Sequence, residues 1–194
     1  MTRLPLLALV GFFAFFTPAA SAHADDTIKR PGAHPLYSVE LEPHGLFGWG
    51  DTYGTAGGFG IGGRVGIPIV QNGFVPTINN SVAISFGLDW VHYGCYDSLA
   101  DCSADFIEAP VTMQWNFYVS QRWSVFGEPG LYIYHGWYTT CRIYPENLAC
   151  GAEPEQTGVL PALFLGARFH FSDKAALTMR VGYPTLSVGV SFFP

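Results

Sequence analysis

Eight charged residues stand isolated within otherwise apolar or small-residue segments of the sequence, where charge is unusual. They are three arginines and five carboxylates: Glu40, Glu42, Arg64, Asp89, Glu108, Glu128, Arg168 and Arg180. A charged group that leaves water must be paired to be stable, and both signs are present here in comparable numbers. We therefore predict that these eight side chains form a charge network inside the protein.

The segment His170-Phe171-Ser172 is the one His-x-Ser sequence in the chain and could provide a nucleophile. A serine activated by a histidine also needs a third group that orients the imidazole. Ser172 is followed by Asp173, and this pair is typical of a turn, where serine hydroxyls bond to nearby backbone. We predict no catalytic residue in the chain.

Metal and cofactor sites are also not indicated. His92, His135, Asp89 and Glu108 come near the same predicted end of the molecule, but zinc needs several ligands within ~2.0–2.2 Å of one ion. The glycine-rich run 57–63 lacks the Lys-Ser/Thr of a phosphate-binding loop and lies within a strand pattern. We predict no metal and no cofactor.

The four cysteines form two local sets, Cys95 with Cys102 and Cys141 with Cys150. An even number of cysteines in a secreted chain indicates disulfides. Four cysteines allow three pairings, and the two local bonds, which close the shortest loops, are our prediction. A zinc site usually has two to four residues between cysteines, and the longer spacings here fit it poorly.

The N-terminus has the pattern of a secretory signal peptide. Arg3 precedes an apolar stretch from Leu4 to Phe16, and Ala20-Ser21-Ala22 is a small-residue cleavage pattern. We predict a signal peptide over 1–22, a flexible N-terminal tail over 23–35 and one folded domain over 36–194.

The composition is that of a membrane protein that lacks membrane helices. Hydrophobic residues make up 49% of the chain and charged residues only 12%, about half of the roughly 25% that is typical of soluble domains. Beyond the N-terminus, no apolar run approaches the ~20 residues that a spanning helix needs. The formal net charge of −6 argues against nucleic acid as a partner.

Alternation of apolar and small or polar residues explains this composition. In the third segment, Val82, Ile84, Phe86, Leu88 and Trp90 alternate with alanine, serine, glycine and aspartate. Such a period of two indicates a β-strand with two different faces. Eight segments follow the pattern, namely 36–48, 59–69, 82–90, 107–117, 123–133, 159–170, 177–182 and 186–192.

The polar face of these segments carries glycine, serine and the eight isolated charges, which suits the narrow bore of an eight-stranded barrel. The apolar face suits lipid. We therefore predict an all-β fold, a closed antiparallel eight-stranded transmembrane up-and-down β-barrel. With both termini in the periplasm, the turns near 119–122 and 172–174 are periplasmic and both cysteine pairs lie in external loops.

The sequence over about 36–194 resembles the small eight-stranded outer-membrane β-barrel proteins of Gram-negative bacteria, of the OmpA-barrel, OmpX and OmpW type. The resemblance rests on the signal peptide, the eight segments and the last strand, whose alternating apolar residues end at Phe192, although Phe193 and Pro194 follow. It implies residence in the outer membrane, insertion by the barrel-assembly machinery, contact with membrane lipid and lipopolysaccharide, and a monomer with a structural or surface-interaction role.

Three other functions stay open at this point. Some barrels of this kind modify lipid A, and a deacylase of that type resembles a His-x-Ser pair with a supporting acid. The OmpW type suggests a narrow channel for small or hydrophobic solutes. A secreted soluble barrel is the third alternative.

Overall fold

The computed structural model describes residues 26–49, 55–95, 100–143 and 148–194, with side chains described over 27–49, 57–94, 103–139 and 155–194. A short 3₁₀ helix, Asp26–Lys29, precedes the strands. The described residues form eight strands, namely β1 (Glu40–Gly48), β2 (Thr55–Val70), β3 (Asn80–Cys95), β4 (Ala100–Tyr118), β5 (Trp123–Ile143), β6 (Leu148–Ser172), β7 (Ala175–Gly182) and β8 (Thr185–Phe192).

Each strand pairs antiparallel with the next along the chain, and β1 also pairs with β8. This arrangement closes the sheet into an up-and-down barrel and confirms the predicted fold. Both termini lie at one end, which we call the terminal end, and the other is the distal end. In the described ranges, no helix has the length and apolar character that crossing a bilayer demands.

The alternation of the sequence separates an outer wall from a filled lumen. Outward side chains are large, apolar and exposed, with Ile61 67%, Leu88 64% and Leu163 64% accessible. Inward side chains are small, polar or charged, and Arg168 and Glu128 are almost completely buried. This is the reverse of a soluble barrel, and a wall of this kind is stable in lipid.

The apolar outer wall ends at the same level on four neighbouring strands. Towards the distal end, the first outward polar side chains are His92 on β3, Asp105 on β4, His135 on β5 and Thr157 on β6. They are neighbours across the sheet, since His92 pairs with Asp105 and His135 with Thr157 in the strand register. We call this row the polar border, because it marks where the wall stops being suited to hydrocarbon.

Strands β3 to β6 continue beyond the polar border and form an extension. It comprises 92–95 of β3, 100–105 of β4, 135–143 of β5 and 148–157 of β6. The predicted strands are shorter than these, and the predicted cysteine loops fall largely within strands. The structure instead places Cys102, Cys141 and Cys150 within strands and Cys95 at the last residue of β3.

The described part of the predicted tail, residues 26–35, packs against the terminal end of the barrel. The Asn79 amide donates to the Ile28 carbonyl at 2.7 Å, and Thr27 and His34 are buried. The connection 71–79 between β2 and β3 is the longest described turn at this end, and it supplies several of these contacts.

Candidate functional site

The first layer of the lumen is built on Arg168, near the terminal end. Its Nη2 donates to both oxygens of Glu40, at 2.6 and 2.8 Å, and its Nη1 donates to Asn116 Oδ1 at 2.7 Å. Ser191 Oγ also donates to Glu40, at 2.7 Å. The layer therefore joins β6, β1, β4 and β8 across the bore.

The second layer is built on Arg180, which bridges two carboxylates. Its Nη1 and Nη2 donate to Glu42 at 2.7 and 3.0 Å, and its Nε and Nη2 donate to Glu128 at 2.9 and 3.2 Å. Gln114 donates to Glu128 at 2.5 Å. Two-pronged contacts of this kind are the strongest that arginine makes with carboxylates.

Phe126 lies against both guanidinium groups. The Arg168 carbon Cζ is 4.4 Å from the centre of its ring, and that of Arg180 is 5.2 Å away. Both distances are within the range of a cation–π interaction. The ring lies over Gly166 of β6, where a Cβ atom would overlap it.

A third layer contains His44, Arg64 and Asp89. Arg64 Nη1 donates to Asp89 Oδ2 at 2.8 Å, and His44 Nε2 is 3.0 Å from Asp89 Oδ1. Glu108 pairs with Asp89 in the strand register. Its Oε2 atom is buried and has no hydrogen-bond partner among the described residues. We call these three layers together the ionic lumen.

Towards the distal end, apolar and aromatic side chains fill the bore. Leu46, Val91, Tyr93, Ala104 and Phe106 form one buried cluster, and Tyr134 and Tyr138 pack against it. The ring of Phe106 meets those of Tyr93 and Tyr138 edge-on, at centroid distances of 5.7 and 5.5 Å. We call this cluster the aromatic lumen.

All eight side chains of the predicted charge network lie in the lumen and are buried: Glu40, Glu42, Arg64, Asp89, Glu108, Glu128, Arg168 and Arg180. Glu108 differs from the other seven because it makes no ion pair within the described part of the chain.

Four further polar side chains belong to this network and were not among the predicted residues, namely His44, Gln114, Asn116 and Ser191. All of them have the inward position in the alternation. That inward position is the signal by which these residues could be predicted. A network predicted from formal charges alone omits them.

The two residues of His170-Phe171-Ser172 that could do chemistry have different partners. His170 Nε2 is 3.1 Å from Ser124 Oγ, and its ring stacks on Phe193. Ser172 Oγ accepts a hydrogen bond from the Lys174 amide at 3.2 Å, as the turn interpretation predicts. Among the residues that the structure describes, no three His, Cys, Asp or Glu side chains are grouped to hold a metal ion.

Comparison with known proteins finds no matching family model and no matching curated protein. Among solved structures, the chain is similar to Ail, the attachment invasion locus protein of Yersinia pestis. The TM-score is 0.51 at 15% identity, covering 81% of this chain and 99% of that one. The fold is that of a small outer-membrane β-barrel.

Two other outer-membrane barrels are also similar. The N-terminal β-barrel domain of Pseudomonas aeruginosa OprF has a TM-score of 0.41 at 13% identity, covering 81% of this chain and 98% of that one. Neisserial surface protein A has a TM-score of 0.42 at 11% identity, covering 80% of this chain and 96% of that one.

The outer-membrane fold assigns a side of the membrane to each end of the barrel. Bacterial barrels of this kind have short turns in the periplasm and their longer structures outside the cell. The turns 119–122 and 173–174 belong to the terminal end, and the extension belongs to the distal end. We therefore infer that the terminal end is periplasmic and the distal end external.

Proposed function

We propose that this protein is an integral outer-membrane barrel with a structural and surface-interaction role, without catalysis, and that the extension is its interaction surface. The observation that carries the proposal is the length of β4, β5 and β6 beyond the polar border. In β5 and β6 the extension runs for roughly ten residues, or about 30 Å of strand. A barrel that served only to span the membrane would not need this wall.

The free edge of β6 indicates how partners meet the extension. Pairing of β6 with β7 ends at Phe164 and Gly182. Within the described residues, the edge of β6 that faces away from β5 therefore has no partner strand from Leu148 to Leu163. Pro154, Pro161, Glu153 and Glu155 lie on this stretch. Proline and charge on an edge strand oppose the addition of another strand. We infer that partners bind the two faces of the extension, through side chains.

The proposal includes the two local disulfides. Cys141 and Cys150 are direct partners in the strand register, and Cys95 and Cys102 each adjoin the pair Gly94 and Ser103. Opposed residues of antiparallel strands have Cα separations that a disulfide can bridge. Such bonds would hold the tip of the extension rigid. Mass spectrometry of peptides cut without reduction would reveal each bond, and linked peptides joining the two sets would contradict the local pairing.

Partners follow from the environment of each part. We propose that the outer wall contacts membrane lipid, that the polar border meets lipopolysaccharide, and that the barrel-assembly machinery inserts the chain as a monomer. The polar border supports the second point, because it carries hydrogen-bonding side chains at the height where lipid headgroups begin.

The lumen supports a closed bore over the alternative of a channel. Arginine–carboxylate layers cross it near the periplasmic end, and packed rings fill it near the external end. The separate partners of His170 and Ser172 likewise give no support to lipid A hydrolysis. Planar-bilayer recordings should therefore show no unitary conductance.

A shortened barrel tests the role of the extension. Residues 139–152 would be replaced by Asn-Gly, a tight turn that suits the opposed pair Tyr138 and Glu153. We expect the variant to keep the heat-dependent gel mobility of a folded barrel. We expect the full-length protein to confer adhesion of cells to protein-coated surfaces and to one another, and the shortened barrel to confer none.

The matched control is the double variant Cys141→Ser/Cys150→Ser, which keeps the extension and removes the two cysteines that the shortened barrel also lacks. Equal adhesion by the full-length and shortened proteins would refute the surface role.

The orientation has a test that needs no substitution. The chain has two lysines, Lys29 and Lys174, and both belong to the periplasmic end. An amine-reactive reagent that cannot cross the outer membrane should leave intact cells unlabelled at both lysines and label them after permeabilisation. Labelling of Lys174 on intact cells would reverse the orientation.

A further inference from the structure

A cavity of about 460 Å³ opens at the periplasmic end, between the N-terminal segment and the barrel. Its lining includes Thr27 and His34 from the segment, Tyr118 and Ser120 at the β4–β5 turn, and His170 and Asp173 at the β6–β7 turn. The volume is in the range of small-molecule sites. The cavity is separate from the ionic lumen and from the extension.

His34 is the most informative residue of this cavity. It is only 6% exposed, and its ring stacks on Tyr118 at a centroid distance of 4.2 Å with an interplanar angle of 1°. Its Nδ1 lies 2.5 Å from Asn79 Oδ1. An amide oxygen can only accept, so Nδ1 carries the proton, and in that tautomer Nε2 presents a lone pair.

The Nε2 atom of His34 is buried and has no hydrogen-bond partner among the described residues. Buried polar atoms without a partner are uncommon in folded proteins, and each one calls for an explanation. The imidazole is fixed by stacking on one face and by Asn79 at the other nitrogen. A fixed acceptor that lines a cavity is suited to a ligand that donates a hydrogen bond.

The remaining charges around the cavity define the ligand further. Asp173 adds a carboxylate to the lining, so two acceptors share one space. Arg122 and Lys174 are exposed and directly adjoin the lining residues Gln121 and Asp173 in the chain. The cavity therefore favours a ligand that places a positively charged hydrogen-bond donor inside and a negatively charged group at the rim.

We propose that this cavity binds a small molecule with a primary ammonium group beside an anionic group, the chemistry of ethanolamine phosphate. The ammonium donates to His34 Nε2 and to the Asp173 carboxylate, and the anionic group faces Arg122 and Lys174. Two sources offer this chemistry at the periplasmic face, the ethanolamine headgroup of a membrane lipid and a soluble amine of the periplasm.

Three probes of similar size separate this proposal from simple hydration of the cavity. Ethanolamine phosphate carries the ammonium, choline phosphate carries a cation that cannot donate an N–H bond, and glycerol phosphate carries no cation. Each would be titrated into the refolded barrel in lipid-free detergent micelles, with the nitrogen resonances of the His34 ring as readout. We expect saturable shifts with ethanolamine phosphate alone. Equal saturation by choline phosphate, or no saturable shift with any probe, would overturn the proposal.

Two substitutions test the assigned acceptors. Asp173→Asn lies in an exposed turn and leaves the fold undisturbed, and it should weaken ethanolamine phosphate binding by about fivefold, the upper range for an exposed charge pair. His34→Phe keeps the stack on Tyr118 and removes Nε2, and chemical shifts of the Tyr118 ring would then report binding. Asp105→Asn, at the external polar border, is the matched control. Unchanged affinity in Asp173→Asn would contradict the assignment.

Nanodiscs identify the source. If the lipid headgroup occupies the cavity, the His34 shifts should be present in phosphatidylethanolamine discs without added probe and absent in phosphatidylcholine discs. If both discs leave the site empty and ethanolamine phosphate then saturates it, the ligand is a soluble amine. His34 shifts of equal size in both discs before any addition would show occupation by lipid without use of the ammonium, and would overturn the proposal.

Discussion

The ionic lumen and the aromatic lumen fill the same narrow bore in different ways. In the ionic lumen, each arginine pairs with carboxylates on other strands. The single side chain of Arg180 connects β7 with both β1 and β5. In the aromatic lumen, rings meet edge-on, and this packing does not require a hydrogen-bond donor to be aligned with an acceptor. Removal of one group therefore has different consequences in the two regions.

The physical basis of the difference is the cost of burying charge. A buried ion pair is balanced only while both partners are present, and loss of one leaves an uncompensated charge in a medium of low polarity. A ring that is replaced by a somewhat smaller apolar side chain leaves a void of limited volume and no unpaired charge. We infer that the ionic lumen sets which strands face each other, while the aromatic lumen closes the external end.

The largest effect is expected for Arg180→Met, which leaves Glu42 and Glu128 buried without their shared cation. The free energy of unfolding should fall by about 3–5 kcal/mol, measured by reversible guanidinium unfolding in lipid vesicles. The triple variant Arg180→Met/Glu42→Gln/Glu128→Gln should regain much of this loss. If Arg180→Met alone is as stable as the parent protein, the ionic lumen is not critical for stability.

A methyl group placed beneath a ring should also distinguish the two regions. A Cβ atom at Gly166 would overlap the ring of Phe126, and one at Gly136 would overlap that of Phe106. Phe126 is held against two guanidinium groups and cannot yield, so Gly166→Ala should cost about 1–3 kcal/mol. Gly136→Ala should cost less in the same unfolding assay, and the opposite order would contradict the rigidity assigned to the ionic lumen.

Alternation made the barrel predictable from sequence, but only where one face meets lipid. The segment from Val82 to Trp90 shows it clearly, because its outward residues are all apolar. The segment 148–157 has no alternation of apolar residues, so the sequence predicts that β6 begins at Val159. The cysteines were assigned to loops for the same reason.

The candidate site was predictable in membership but not in pairing. Inward position identified Glu40 and Arg168 as lumen residues, yet they are 128 positions apart in the chain. Which residues meet across a bore depends on strand stagger and on side-chain length, and neither can be read from a single strand. The contacts of His34 were unpredictable because its segment has no periodic pattern.

A smaller effect is expected for Phe106→Leu in the aromatic lumen. The substitution keeps an apolar side chain of somewhat smaller volume among partners that can shift, so the unfolding free energy should fall by only about 1–1.5 kcal/mol. A loss as large as that of Arg180→Met would abolish the distinction between the two regions.

The smallest effect is expected for Glu108→Gln. Within the described part of the chain this residue makes no ion pair, so loss of its charge leaves no cation unpaired and should not lower the unfolding free energy. Glu128→Gln is the matched control, since it weakens bonds to Arg180 and should cost about 1.5–3 kcal/mol. If both substitutions lower the free energy of unfolding equally, Glu108 has a partner that it binds as strongly as Glu128 binds Arg180.

The central claim is that one face of the alternation meets lipid while the other lines a closed lumen. Nuclear Overhauser contacts between lipid acyl chains and protein methyl groups in nanodiscs test it most directly. The outward methyl groups of Ile61, Leu88 and Val188 should show strong contacts with acyl chains, and the inward ones of Leu46 and Val91 should show none. Acyl-chain contacts at Leu46 and Val91, with none at the outward residues, would contradict the account.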